Sequence, residues 1–303
     1  MGAGHSHDAG ETTPRKRLLI AFGITVSFFV VEVVGSIITG SLALLVDAAH
    51  MLTDVIGLAL AVTAAHLMNR PPSQKHTWGL RRAEVLGALT QASLLLAVGI
   101  FALVEGIRRL FEPPEIASGS LLFFGIIGLL ANVASLIVLL GGRKHNLNMR
   151  AAFLEVVNDA LGSVAVIISA ILIAVFGWYQ ADAVAGILIA ALIIPRTLIL
   201  LRASASVLLE ATPPGLDLDE VRRHLKELDH VAEVHDLHAS QVSTDLPTLT
   251  AHVVVDDGLT AQQSADLLRS LQECVAEHFP VSVEHSTFQL EPRSHPEEHV
   301  SHA

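Results

Sequence analysis

Four ionisable side chains fall inside apolar stretches, and their types and spacing suit a divalent metal ion. His50 and Asp54 stand at i,i+4 within the apolar run from about Leu42 to Met68, and Asp47 precedes His50 by three. On a helix all three share one face. A second apolar stretch carries Glu155 and Asp159 at the same spacing, with Asn158 beside them. Two such pairs supply four nitrogen and oxygen donors, the number a tetrahedral Zn²⁺ site takes. An isolated charge in lipid costs on the order of several kcal/mol, so these groups must either bind an ion or bond to one another as a polar knot between helices. An imidazole among carboxylates suits Zn²⁺, Co²⁺ and Cd²⁺, whereas Mg²⁺ and Ca²⁺ favour shells made of oxygen alone.

The elements that must hold these groups are membrane spans. The chain has 303 residues, 51% of them hydrophobic and only 16% charged, with a mean hydropathy of +0.55. That balance excludes an ordinary soluble globule. Runs of about 20 apolar residues, long enough to cross a bilayer, occur near 18–39, 42–68, 83–110, 118–141, 151–177 and 181–203. They predict a six-helix transmembrane bundle, with breakers at Gly40, Pro71-Pro72, Pro113-Pro114, Gly141-Gly142 and Gly177. The first run is longer than a signal-peptide core and is taken as an uncleaved span. Eleven Lys and Arg flank the ends on the N-terminal side: Arg15, Lys16, Arg17, Arg70, Lys75, Arg81, Arg82, Arg143, Lys144, Arg150 and Arg202. Only Arg108 and Arg109 lie on the other side, which predicts both termini in the cytoplasm.

Past Arg202 the pattern changes. Residues 1–205 hold 14 Lys+Arg against 12 Asp+Glu, and residues 206–303 hold 5 against 18, so the net −11 combines +2 with −13. An acidic, water-facing domain therefore follows the bundle, and nucleic acid is not an expected partner. Short amphipathic units predict a helix from Asp217 or Asp219 to about Asp229, strands at 231–243 and 247–256, a helix from Thr260 to His278 and a strand from Val281 to Leu290. This αββαβ order is that of a small ferredoxin-like α+β layer. The expected domains are a His-containing tail (1–14), the transport bundle (15–205), the cytoplasmic domain (206–291) and a second His-containing tail (292–303). Cys274 is the single cysteine, so neither an intrachain disulfide nor a Cys-based zinc centre is available.

The segments Gly40-Ser41-Leu42-Ala43-Leu44-Leu45-Val46-Asp47-Ala48-Ala49-His50-Met51-Leu52-Thr53-Asp54, His76-Thr77-Trp78-Gly79-Leu80-Arg81-Arg82-Ala83-Glu84, Ala152-Phe153-Leu154-Glu155-Val156-Val157-Asn158-Asp159 and Val234-His235-Asp236-Leu237-His238 resemble the cation diffusion facilitator family in their residues and their order. The resemblance implies a zinc-exporting proton antiporter rather than an enzyme. It further implies a homodimer of six-span protomers in the cell (inner or plasma) membrane, with a metal-sensing, dimerising cytoplasmic domain. His50, Asp54, Glu155 and Asp159 would be the transport ligands. Many zinc members have His where Glu155 stands, so this set is more acidic and its range extends to Cd²⁺, Co²⁺, Mn²⁺ or Fe²⁺ beside Zn²⁺. His76 matches one histidine of a second loop site, but Leu80 and Arg81 stand where other members place histidine. In the soluble domain His235, His252 and His285 match metal-binding positions, Thr287 replaces an Asp ligand of some members, and His238 is an additional candidate. Asp236 is placed to orient a histidine. The short clusters His5, His7 and His295, His299, His302 read as solvated tails.

Coupling follows from competition. Metal needs neutral imidazole and ionised carboxylates, so protons and metal contend for the same atoms. His50 is the natural proton acceptor, since free imidazole titrates near ~6.5. Two other classes fit less well: an embedded metallohydrolase would need a spare base, and HExxH is absent. A membrane-anchored metal sensor would bind metal but move none.

Overall fold

The computed structural model describes residues 14–140 and 147–294. They pack as two compact units. One gathers the described residues up to Leu58 with those of 91–198, and the other gathers 59–90 with the described residues from Ile199 onward. Among the described residues six helices are long and apolar enough to span a membrane: α1 (Pro14–Thr39), α2 (Leu42–Met68), α3 (Ala83–Phe111), α4 (Ser118–Leu140), α5 (Leu147–Phe176) and α6 (Gln180–Leu208). The spans thus lie where the apolar runs place them. α6 continues five residues past the expected end because Ala203–Leu208 contains no breaker. It stops at a left-handed Glu210 (φ 58°), where Glu210 N–H bonds to Val207 O at 3.2 Å and Ala211 N–H to Ser206 O at 3.0 Å, a Schellman pattern that normally uses glycine.

In the first unit the buried face of the bundle is built from small and branched residues. Leu42, Ala43, Leu44 and Val46 of α2 meet Leu121 of α4, Val166 and Ala170 of α5, and Ala185, Ile189 and Ala190 of α6. The opposite faces carry exposed Ile37, Leu130 and Phe176, as a lipid-facing surface requires. Glycine sets the closest approach: a Cβ at Gly128 would lie 2.5 Å from Phe28 and 3.0 Å from Ser163 Oγ, so α1, α4 and α5 meet at contact distance there. Pro195 interrupts α6, removing the N–H that would bond to Ala191, and Arg196 follows it directly.

The turn between α1 and α2 is satisfied by its own Thr39 and by two other elements. Ser41 N–H bonds to Thr39 Oγ1 at 3.2 Å, and Arg109 of α3 donates to Gly40 O at 2.6 Å. Asp182 of α6, fully buried, accepts from the Ser41 hydroxyl, from Leu42 N–H at 2.6 Å and from Ala43 N–H at 3.4 Å. Ser41 Oγ takes Leu44 N–H at 3.2 Å and Ser41 O takes Leu45 N–H at 3.2 Å. All four orphan donors at the start of α2 thereby find acceptors.

The second unit contains the α+β domain: α7 (Leu218–Lys226), β1 (Val231–Ser243), β2 (Leu246–Val255), α8 (Ala261–Glu277) and β3 (His285–Pro292). β2 is central, antiparallel to β1 and parallel to β3. Asp217 caps α7, and Thr260 with Gln263 forms a capping box on α8. Val221, Leu225, Leu267, Leu271 and Val275 cover one face of the sheet, against Val234, Leu249, Ala251, Val253 and Phe288. The alternation in β2 leaves Thr250 and His252 on the other face. β3 begins four residues later than the pattern predicts. Val281 and Val283 are apolar because they enter the helix-covered core from an irregular segment, with Val283 N–H held by Val275 O at 3.0 Å. The α2–α3 segment belongs to this unit and is tied to the domain by Arg82–Glu210 (2.9 Å), Arg81–Asp245 (3.9 Å) and an edge-on contact of Trp78 with His285.

Cys274 lies in that core, 3% exposed, and burial with the nearby Glu227 carboxylate pushes its thiol above the usual range. The thiolate is the reactive form. A maleimide at pH 8 is therefore expected to label the folded protein at least about tenfold more slowly than the denatured chain, a contrast that mass spectrometry reads cleanly from a chain with one cysteine. Equal rates would show that the domain core opens freely.

Candidate functional site

Within the first unit, α2 and α5 bring His50, Asp54 and Glu155 within 4.8 Å of one another, with Asp159 beside His50 at the edge of the group. His50 Nε2 is 3.5 Å from Asp54 Oδ2, 3.5 Å from Glu155 Oε1 and 3.9 Å from Asp159 Oδ1. The i,i+4 spacing puts both members of each pair on one face, and the close α4–α5 and α1–α4 approaches hold α5 in place. Separations of 3.5 Å are long for a hydrogen bond. They match the roughly 3.3–3.6 Å between ligands that each stand ~2.0–2.2 Å from a tetrahedral ion. His50 and Asp159 are buried, and His50 Nδ1 and Asp159 Oδ1 have no hydrogen-bond partner among the described residues. Glu155 uses its second oxygen on Arg196 of α6, Oε2 to Nη1 2.5 Å.

Asp47 is not in this ring. Its carboxylate is 2% exposed and packs against Gly162 of α5, where a Cβ would come within 3.2 Å of Oδ1. The buried Glu32 of α1 is its neighbour, and Asn132 donates to Ser163 Oγ at 3.2 Å nearby on α4 and α5. These groups form a polar interior adjoining the four-residue cluster.

A second cluster sits on the uncovered face of the sheet. His235 and His252 are register partners across β1 and β2, their rings 5.2 Å apart. Glu291 of β3 reaches both: Oε2 is 3.1 Å from His235 Nε2 and Oε1 is 2.8 Å from His252 Nδ1, while Gln289 holds Oε1 at 2.7 Å. Asp236 takes a left-handed backbone (φ 46°) at a bulge in β1, which aims its carboxylate at His235 Nδ1 (3.6 Å) and His252 Nδ1 (4.0 Å). Two imidazoles and a mostly buried carboxylate converge within 4.8 Å, a donor set that fits a Zn²⁺-like ion.

His285 is not part of this group. It pairs with Thr248, four positions along β2 from His252, or about 13 Å at ~3.3 Å per residue, and its ring meets Trp78 instead. Thr287 and His238 line a hollow of about 240 Å³ with Asp236, Thr250, His252 and Gln289. His76 is exposed in the α2–α3 segment, its backbone bonded to Ser73 and Gly79. The histidines of both tails lie outside the described residues. Glu291 is the member that sequence reasoning missed; the available signal was an acidic residue in phase with His285, Thr287 and Gln289 along one strand face.

Two family models match the chain: the cation efflux transmembrane domain over residues 18–209 and the cation efflux protein cytoplasmic domain over residues 213–293. The metal cation efflux system protein CzcD of Cupriavidus metallidurans is 41% identical over 291 residues, covering 96% of this chain and 90% of that protein. The cadmium, cobalt and zinc/H(+)-K(+) antiporter of Bacillus subtilis is 36% identical over 294 residues (96% and 93%). The zinc transporter ZitB of Escherichia coli is 38% identical over 296 residues (96% and 93%).

Proposed function

The chain belongs to the cation diffusion facilitator (cation efflux) family of multi-pass membrane transporters, and on that premise we propose that it exports Zn²⁺ from the cytoplasm in exchange for protons. The observation that carries this reading is the ring of three carboxylates around His50 Nε2 at 3.5, 3.5 and 3.9 Å. His50, Asp54, Glu155 and Asp159 take the ion from one side of the membrane. When the bundle opens to the other side, protons occupy the same atoms and release it. Three carboxylates and one imidazole also admit Cd²⁺ and Co²⁺, in keeping with the ions named in the Bacillus relative.

The transport domain is residues 15–205, with both termini cytoplasmic as the Lys/Arg distribution suggests. The domain at 206–291 pairs two protomers, and its His235–His252–Glu291 cluster takes a regulatory ion. Glu291→Gln is expected to lower the zinc stoichiometry of the purified full-length protein by about one ion per protomer near neutral pH, leaving the transport-site ion in place. Unchanged stoichiometry by equilibrium dialysis would remove this second site.

The whole reading is tested in inside-out vesicles, where an imposed proton gradient should drive ⁶⁵Zn²⁺ uptake that collapses with an uncoupler. A membrane-anchored sensor would bind ⁶⁵Zn²⁺ to the same extent with and without the gradient, and that result would replace the transporter reading.

A further inference from the structure

We propose that Arg196 is a built-in counter-cation of the transport site, a positioning residue that makes its acidic ligand set electrically neutral when loaded. The inference rests on the reading of His50, Asp54, Glu155 and Asp159 as transport ligands. Glu155 bridges two cations or potential cations: Oε1 faces His50 Nε2 at 3.5 Å, and Oε2 is held by Arg196 Nη1 at 2.5 Å. Each takes a different oxygen of the carboxylate. The His50 side chain is 10% exposed and Glu155 25%, while Arg196 is 63% exposed and enters from the open side of the cluster. Pro195 sets the local backbone of α6 immediately before it, and Thr197 on the next position is buried, its hydroxyl bonded to Ile193 O at 2.9 Å. The arginine is thus the one residue of this α6 turn directed at the ligands while its neighbours pack or face outward.

Charge makes the pairing consequential. Three carboxylates carry −3 and a divalent ion +2, so a loaded site without Arg196 keeps an uncompensated negative charge, which low-dielectric surroundings penalise. The guanidinium carries a permanent +1. With it the loaded site sums to zero, and one carboxylate is held by a partner that never leaves with the cargo. The same logic gives a specific relation between positions 155 and 196. A histidine at 155 would leave two carboxylates, and the loaded site would then be neutral only if residue 196 were uncharged. Positions 155 and 196 therefore act as one electrostatic unit that sets how tightly the ion is held and how readily it is released.

The test compares wild type with Arg196→Gln, Arg196→Lys, Glu155→His and the double variant Glu155→His/Arg196→Gln, each as full-length protein in proteoliposomes with a proton gradient and Cd²⁺ as the probe. Arg196→Gln leaves the site over-negative and should lower KM and Vmax together, each by roughly tenfold, because the ion is held more tightly and leaves more slowly. Glu155→His makes the loaded site over-positive and should raise KM by a similar factor. The double variant should return both constants to within about threefold of wild type, and Arg196→Lys, which keeps the charge, should do likewise. A double variant whose Vmax stays as low as that of Arg196→Gln would overturn the proposal, as would an Arg196→Gln whose KM does not fall or an Arg196→Lys that behaves like Arg196→Gln. Cd²⁺ binding to the detergent-solubilised proteins gives an independent arm: affinity should rise in Arg196→Gln, fall in Glu155→His and be restored in the double variant. If wild type binds Cd²⁺ with this pattern but transports none, the transport function falls and the pairing stands; if wild type transports and the pattern is absent, the pairing falls alone.

Discussion

Alanine at His50 or at Asp159 is expected to reduce proton-driven Zn²⁺ uptake at least about a hundredfold while the protein still folds and inserts. His50 supplies the only nitrogen of the cluster, and its Nε2 is the atom from which the three carboxylates are measured at 3.5, 3.5 and 3.9 Å. Without it the ion is left with oxygen donors alone, a set that favours Mg²⁺- or Ca²⁺-like coordination, and the exchange loses the group best suited to carry a proton near neutral pH. Asp159 matters for a different reason. It is 7% exposed, and its Oδ1 accepts no hydrogen bond among the described residues, so nothing but a cation or a proton satisfies it. Removing it deletes a proposed ligand that makes no other hydrogen bond through Oδ1 among the described residues. Uptake of ⁶⁵Zn²⁺ into inside-out vesicles, with protein amount and monodispersity checked in parallel, measures both effects. Near-normal uptake by either variant would show that the four groups do not act on one ion.

The spans and the two i,i+4 pairs on their helix faces were legible because each rests on local regularities. Apolar runs of about 20 residues have few alternatives in a chain this hydropathic, and the i,i+4 spacing of His50 with Asp54 and Glu155 with Asp159 is a property of one helix at a time. β2 was legible for the same reason: Leu249, Ala251 and Val253 alternate with Thr250 and His252. What was not legible depends on contacts between distant segments. Val281 and Val283 look like strand residues, yet they are apolar because they plug the core ahead of β3. Glu291 joins His235 and His252 only because β3 pairs with β2 in one register, so Val254 faces it. His285 shares the strand face but sits too far along it. Arg196 lies within the apolar run 181–203, and only the packing of α6 shows that its partner is Glu155.

Asp182→Ala should be the most destabilising single substitution in the bundle, and it too was invisible locally. Asp182 opens α6, yet its carboxylate caps a different helix 140 residues earlier in the chain, accepting from Leu42 N–H at 2.6 Å, Ala43 N–H at 3.4 Å and the Ser41 hydroxyl. It is fully buried, so water does not replace it in the variant. Two N–H groups and a hydroxyl left without acceptors, together with the lost negative charge at a helix N-terminus, amount to about 3–5 kcal/mol. Asp182→Asn keeps one carbonyl oxygen and should fall between the two. Thermal unfolding in detergent is expected to show a drop of roughly 10 °C for Asp182→Ala and about half that for Asp182→Asn. The consequence reaches the proposed transport site, because α2 carries His50 and Asp54 and its start is held by α6, the helix that also supplies Arg196. Loosening the cap should therefore weaken Cd²⁺ binding in Asp182→Ala at temperatures well below its unfolding. A melting temperature within about 2 °C of wild type would mean that the α1–α2 turn holds the helix without the carboxylate.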